Sequence, residues 1–215
     1  MLTLWGRKNS FNVQKVIWAL EELELPYRWV DAGGAAGGLD NPEFRTMNPH
    51  GRVPVLRHDD LVLWESNTIV RYLGAAFNRD DSLWSSDPAE RAKLERWMDW
   101  AIADLARDFL TLFWLQVRTP TAQQDAAAIA AATARTHFSL SMVEKELETR
   151  RYLAADRFTL GDIPAATCLY RYFEMSIDRP ELPNVARWYA DITARPAYRT
   201  GVMVPFDDLY GRLAF

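Results

Sequence analysis

Hydrophobic periodicity changes once along this chain, near residue 78. Before that point short apolar runs alternate with segments of helical period; after it only the helical period remains. Such a chain must build two units, an α/β layer and then an all-α bundle. Leu2 to Trp5 and Tyr27 to Val30 read as strands, and the first is joined to the second by a helix over Asn12 to Leu23. That helix carries Val13, Val16, Ile17, Leu20 and Leu23 at helical spacing and is stopped before Pro26. Val53 to Arg57 and Leu61 to Trp64 flank His58-Asp59-Asp60, a hairpin signal, and Ser66 to Phe77 reads as another helix. The first three elements can make a right-handed parallel βαβ unit, and the hairpin adds antiparallel strands, giving a mixed four-stranded sheet.

Residues 79–88 are polar and read as a linker, which divides the chain into 1–78 and 89–215. Helices are expected over Ala89 to Val117, Thr121 to Leu153, Asp162 to Met175 and Asn184 to Ala194, and Pro196 opens a short last segment. The stretch Gly33-Gly34-Ala35-Ala36-Gly37-Gly38 fits no phosphate-binding fingerprint and reads as a flexible surface linker.

Composition narrows the chemistry. With 25 basic and 29 acidic residues the net charge is −4, which does not favour a general nucleic-acid surface. A single cysteine, Cys168, excludes an internal disulfide and a Cys-x-x-Cys pair; mid-helix, it reads as a small buried hydrophobe. Three scattered histidines give no metal-ligand spacing, so no metal is expected. No long uncharged apolar stretch spans a membrane, and Met1 to Lys8 lacks a signal-peptide core, so the cytoplasm is the expected compartment. Nine tryptophans are enough to line an apolar pocket as well as to fill a core.

Three segments carry chemical information. In Asn48-Pro49-His50-Gly51-Arg52-Val53-Pro54-Val55, a proline interrupts a strand. Either it marks a plain turn, or a cis bond there leaves the Val53 backbone free to pair with an extended peptide. In Glu65-Ser66-Asn67, Ser66 is an N-cap candidate. The pair is an ordinary cap beside a solvated Glu, or a helix N-terminus for a carboxylate next to a carboxylate for an ammonium group, the complement of an amino-acid zwitterion. In Asn9-Ser10-Phe11-Asn12, Ser10 or Asn12 caps the first helix, or offers a donor where the helix dipole favours a thiolate. No Gly-x-Ser-x-Gly elbow accompanies Ser10, so a serine nucleophile is disfavoured.

Together these segments resemble the glutathione S-transferase family, in its serine-type, theta-like bacterial branch. The resemblance spans the whole chain and extends to Phe158-Thr159-Leu160-Gly161-Asp162-Ile163, which is similar to the family's capping box in the second domain. There Thr159 is expected to cap, Asp162 to reach back, and Phe158 to staple to Ile163. The resemblance implies a thioredoxin-like first domain, a helical second domain, glutathione as co-substrate and a homodimer. It implies that Val53 pairs with the cysteinyl unit, that Glu65 and Ser66 hold the γ-glutamyl end, and that Arg52, with His50 as a weaker candidate, lies near the glycine carboxylate. Ser10 or Asn12 would stabilise the thiolate, which attacks a small hydrophobic electrophile held between the domains. Trp97, Trp100, Phe109, Phe113 and Trp114 are candidates for that pocket, and Asp99 and Asp104 for a contact to the glutathione amine, across a dimer. A glutathione-dependent isomerase or dehalogenase and a non-catalytic scaffold are the alternatives; the isomerases' Ser-Ser-x-x-x-Arg turn is absent.

Overall fold

The computed structural model describes residues 1–213, so the last two residues of the segment expected over 89–215 lie outside the described residues. Strands β1 (Leu2–Gly6), β2 (Tyr27–Asp31), β3 (Val55–His58) and β4 (Leu61–Trp64) form one sheet in the order β2-β1-β3-β4. β1 and β2 are parallel, and β3 is antiparallel to both β1 and β4. Helix α1 (Phe11–Glu22) is the parallel crossover, α2 (Pro42–Met47) precedes the hairpin, and α3 (Ser66–Phe77) follows it. β3 begins two residues later than expected, because Pro54 has no N–H to give to a ladder. The Val53–Pro54 bond is cis.

The second half is helical. α4 (Pro88–Trp100) and α5 (Ala106–Phe113) run on through π turns at Ala101–Leu105 and Trp114–Arg118. The expected helix from Thr121 to Leu153 is shorter: α6 covers Ala126–Glu146. Asp125 starts it by accepting from the Ala127 and Ala128 N–H groups. It stops early because Leu153 must leave the helix to donate its N–H to the buried Asp162 carboxylate at 2.9 Å. α7 (Ile163–Glu174), α8 (Pro183–Thr193) and α9 (Pro196–Gly201) complete the bundle. The glycine-rich stretch is not a linker but a 3₁₀ turn at Gly34–Ala36, closed by the Gly33 N–H on the Gly37 carbonyl at 2.7 Å.

α1 joins the halves. It packs on α3 within the first unit and on α7 and α9 of the second. Trp18, wholly buried, stacks on Phe158 at 5.4 Å and meets Tyr198 edge-on at 4.7 Å. α9 comes so close that a Cβ on Gly201 would lie 2.9 Å from the Trp18 backbone nitrogen. At the far end of α1, Glu22 accepts from Arg195 at 2.6 Å.

The capping box differs in one detail from expectation. Asp162 does reach back, accepting the Thr159 N–H at 3.0 Å, but the Thr159 hydroxyl also donates to Asp162 instead of capping the helix. Burial raises the Asp162 carboxyl to about 6, against three hydrogen bonds that pull it down. Its folded value thus lies above the unfolded one of about 3.9, so its stabilisation is full below that pH and is lost as pH rises through 6. Chemical denaturation of wild type and Asp162→Asn should therefore give a wild-type-minus-variant difference in unfolding free energy that falls by up to about 3 kcal/mol from pH 4 to pH 7. A difference that rises over that range would refute the assignment.

Candidate active site

Two helix N-termini point at one place. The turn before α1 is held by the Ser10 N–H on the Arg7 carbonyl at 3.0 Å, and α1 makes its first backbone bond from Gln14 N–H to the Ser10 carbonyl. α3 begins the same way, with the Ile69 N–H on the Glu65 carbonyl. The N–H groups of the first turn of each helix are thereby left for side chains or ligands. The two turns touch: the Ser66 hydroxyl donates to Asn12 Oδ1 at 3.3 Å, across 54 residues of sequence.

Ser66 is not the N-cap, as its residue type suggests. Glu65 holds that position, with a left-handed φ of 70°, and Ser66 is the first helical residue, almost fully buried. The shift follows from tertiary contact, because the Ser66 hydroxyl is spent on Asn12. Asn67, next in line, donates to the Met98 carbonyl at 2.8 Å and so pins the start of α3 to α4.

A small cavity of about 170 Å³ brings together Asn12, His50, Arg52, Val53, Glu65 and Ser66. Val53 lies outside the ladder, which starts at Val55. The loop that carries Val53 is built on buried Asn48, whose amide donates to the Arg52 carbonyl at 2.8 Å and accepts the His50 N–H at 3.0 Å. Gly51 sits there at φ 59°, under the Arg45 guanidinium, where a Cβ would collide at 2.6 Å. The His50 ring meets Trp64 edge-on at 5.1 Å.

A second cavity of about 530 Å³ opens beside it and shares Asn12, His50, Arg52 and Val53. Ser10 lines this larger space, as do Phe113 and Trp114. Of the other aromatic candidates, Trp97 and Phe109 are core residues, and Trp100 lines a separate cleft with Phe138 and Met142. Phe11 and Leu110 take their place on the wall. Within the chain, Asp99 is held by Arg71 and Asp104 faces Arg107 at 3.6 Å, so neither lines these cavities. Cys168 is buried, and burial pushes its thiol up to about 12, which removes it from redox or nucleophilic work.

A sheet-bearing unit whose cis-proline loop and two helix N-termini meet in one cavity, beside a second cavity walled by the helical unit, has the arrangement expected of a thiol-peptide-binding enzyme. Comparison with known proteins makes this specific. The glutathione S-transferase N-terminal domain matches residues 4–81, and the glutathione S-transferase C-terminal domain matches residues 102–196. Glutathione S-transferase GstB of Escherichia coli is 44% identical over 207 residues, covering 95% of this chain and 99% of the relative. Glutathione S-transferase 3 of Zea mays is 31% identical, covering 94% of this chain and 93% of its own length. The crystal structure of a theta class glutathione S-transferase from Xanthomonas axonopodis pv. citri, with glutathione bound, superposes with a TM-score of 0.90 at 48% identity, covering 95% of this chain and 98% of that one. The chain belongs to the glutathione S-transferase family.

Lys15 supports the candidate site from beneath Asn12, and the sequence reading missed it. Its one signal was a charge inside the apolar stripe of α1. It is wholly buried, its ammonium lies 4.7 Å from the Phe11 ring centre, and it donates to Asn12 Oδ1 at 3.0 Å. Lys15 and Ser66 thus both hold the Asn12 oxygen, which leaves the Asn12 amide N–H₂ as the free donor. Burial lowers the Lys15 ammonium from its ordinary 10.5 to about 8. The folded value is the lower one, so the charged form costs stability at pH 7, and the cost is relieved as pH rises from 8 towards 10. Lys15→Met should raise the unfolding free energy at pH 7 by about 2 kcal/mol, with the advantage shrinking between pH 8 and 10. A destabilised Lys15→Met at pH 7 in denaturant titrations would contradict this balance.

Proposed function

We propose that this chain binds glutathione, stabilises its thiolate and transfers it to a small hydrophobic electrophile. The observation that carries the reading is the Ser66–Asn12 contact of 3.3 Å, which ties a zwitterion clamp to a thiol-facing turn in one cavity. Glu65 takes the γ-glutamyl ammonium, and the Ser66 backbone N–H with the next N–H groups of α3 takes its carboxylate, the Ser66 hydroxyl being held by Asn12. The Val53 backbone, outside the ladder, pairs with the cysteinyl unit as an added strand would. Arg52, exposed at the mouth with His50 beside it, meets the glycine carboxylate.

The cysteinyl sulfur then lies between the Ser10 hydroxyl and the Asn12 amide. A free thiol with a pKa of about 8.5 is a few per cent ionised at pH 7. One charge-assisted hydrogen bond and the α1 dipole together supply about 2–3 kcal/mol, enough for a shift of about two units. Asn12 is the stronger donor, because Lys15 fixes its oxygen and thus its orientation. Positioning and anion stabilisation complete the protein's share. The sheet-bearing unit over 1–78, joined by 79–88 to the helical unit, supplies the glutathione side, and the helical unit supplies the wall for the electrophile.

The finer expectations extend this reading to a cytoplasmic detoxifying homodimer. Exposed Phe138 and Met142, one turn apart on α6, line a cleft with Trp100, beside the charged Asp104, Arg107, Asp108 and Arg135, and offer apolar contacts to a second copy.

Ultraviolet titration of bound glutathione is expected to give a thiolate pKa well below the free value. Asn12→Ala should raise it by about one unit or more, and Ser10→Ala by less. The reverse order would move the activating role to Ser10, and no binding would remove the function. Sedimentation should give twice the 24.7 kDa chain mass, and Phe138→Glu should shift it towards the monomer. A monomeric wild type would refute the dimer.

A further inference from the structure

Resting on the glutathione-transfer reading, we propose that the larger cavity is shaped for one class of electrophile: an apolar body bearing a carboxylate, with Arg171 as the anion's principal partner. Arg171 stands in the last turn of α7, a helix otherwise mostly apolar, is 3% exposed, and lines the 530 Å³ cavity that also contains Ser10. Its hydrogen bonds go to neutral oxygens, the Asn9 carbonyl at 2.6 Å and Gln14 Oε1 at 3.5 Å. Its buried Nε has no partner. A buried guanidinium normally faces a carboxylate, because desolvation of an unpaired charge is costly.

Two further guanidiniums line the same cavity, those of Arg7 and Arg118. Arg118 is 3% exposed, lies 4.9 Å from the Trp114 ring centre, and donates to the Arg212 carbonyl. Burial first, and then repulsion from Arg7 and Arg118, lowers Arg171 to about 10, so all three remain cationic at pH 7. Asp208 opposes this charge in part, but it accepts from Asn9 Nδ2 at 3.0 Å and is not in the cavity lining. The rest of the wall is apolar, from Phe11, Leu110, Phe113 and Trp114, and the Phe113 ring centre lies 4.8 Å from the Arg171 guanidinium. A carboxylate accepting from a planar guanidinium fork, attached to a ring that packs on these side chains, satisfies both features. Glutathione's own carboxylates carry the same chemistry: Ser66, the proposed partner of one, lines only the smaller cavity, whereas Arg52, the proposed partner of the other, lines both, so the test includes competition with glutathione.

The test compares a chlorodinitrobenzoate with its primary carboxamide at saturating glutathione. In each, the thiolate sulfur bonds to the ring carbon bearing chlorine, chloride leaves with the C–Cl electron pair, and the thiol proton passes to solvent. After division by the uncatalysed rate, kcat/KM should favour the benzoate by about tenfold or more. Arg171→Gln should abolish that preference, and Arg171→Lys should restore part of it. Arg171 also supports the turn that carries Ser10, so wild-type inhibition provides a second measurement. Nitrobenzoate should inhibit more strongly than nitrobenzamide, competing with the electrophile and not with glutathione. Equal turnover of the two probes overturns the proposal. Competition of nitrobenzoate with glutathione overturns it too, by assigning the arginines to glutathione's carboxylate. Absence of turnover with both probes, together with no bound thiolate absorbance, overturns the glutathione reading along with it.

Discussion

Burial of α1 on nearly all sides is the constraint on which the rest of the structure depends. Nine of its residues between Phe11 and Leu20 are buried, including two polar ones, Gln14 and Lys15. The helix packs on the first unit through α3 and on the second through α7 and α9, so neither unit can close its core without it. Its N-terminus therefore cannot drift. The Ser10 turn is fixed from below by the Arg7 carbonyl and from the side by Arg171, which grips the Asn9 carbonyl from the second unit. A donor for a thiolate must be held still before the thiol arrives, and for the proposed donors Ser10 and Asn12 the packing of the whole molecule does the holding.

The charged residues buried around that helix all carry a cost that packing alone would avoid. Lys15, Asp162 and Arg171 each sit where apolar side chains would desolvate more cheaply, and burial shifts each of them towards its neutral form. Asp162 ties Leu153 and Thr159 to the start of α7 through three hydrogen bonds, and so repays its burial in architecture. Lys15 repays it by orienting Asn12, and Arg171 by tying the Ser10 turn to α7. Desolvation thus marks two places, the joint at the start of α7 and the cavity between the units.

Much of this was legible in the chain. Short apolar and β-branched runs gave each strand, and period-3.6 runs gave most helix boundaries, because a packed helix must present one apolar face. The Pro54 loop, Glu65-Ser66 and Ser10 through Asn12 were legible as candidate site segments, since helix-start residues and strand-interrupting prolines have local causes. The failures were also physical. α6 was overextended because helix propensity is local, while the carboxylate that draws Leu153 away lies nine residues further on. Ser66 has the residue type of a cap, while its hydroxyl is claimed by Asn12 from another helix. Trp97 and Phe109 share a helix with Phe113 and Trp114, and only the packing of α6 and α7 decides which of them faces the core and which the cavity.

The sequence by itself determined the order of elements, the two-unit plan and the family, because each depends on interactions within a few residues or on a motif carried whole. Tertiary structure alone decided that Lys15 lies beneath Asn12, that Ser66 meets Asn12 across 54 residues, and that Arg171 enters the same cavity as Ser10 from 161 residues away. Such contacts have no local signature. They arise from the angle at which α3 and α7 cross α1, which is set by the packing of residues distant in the chain.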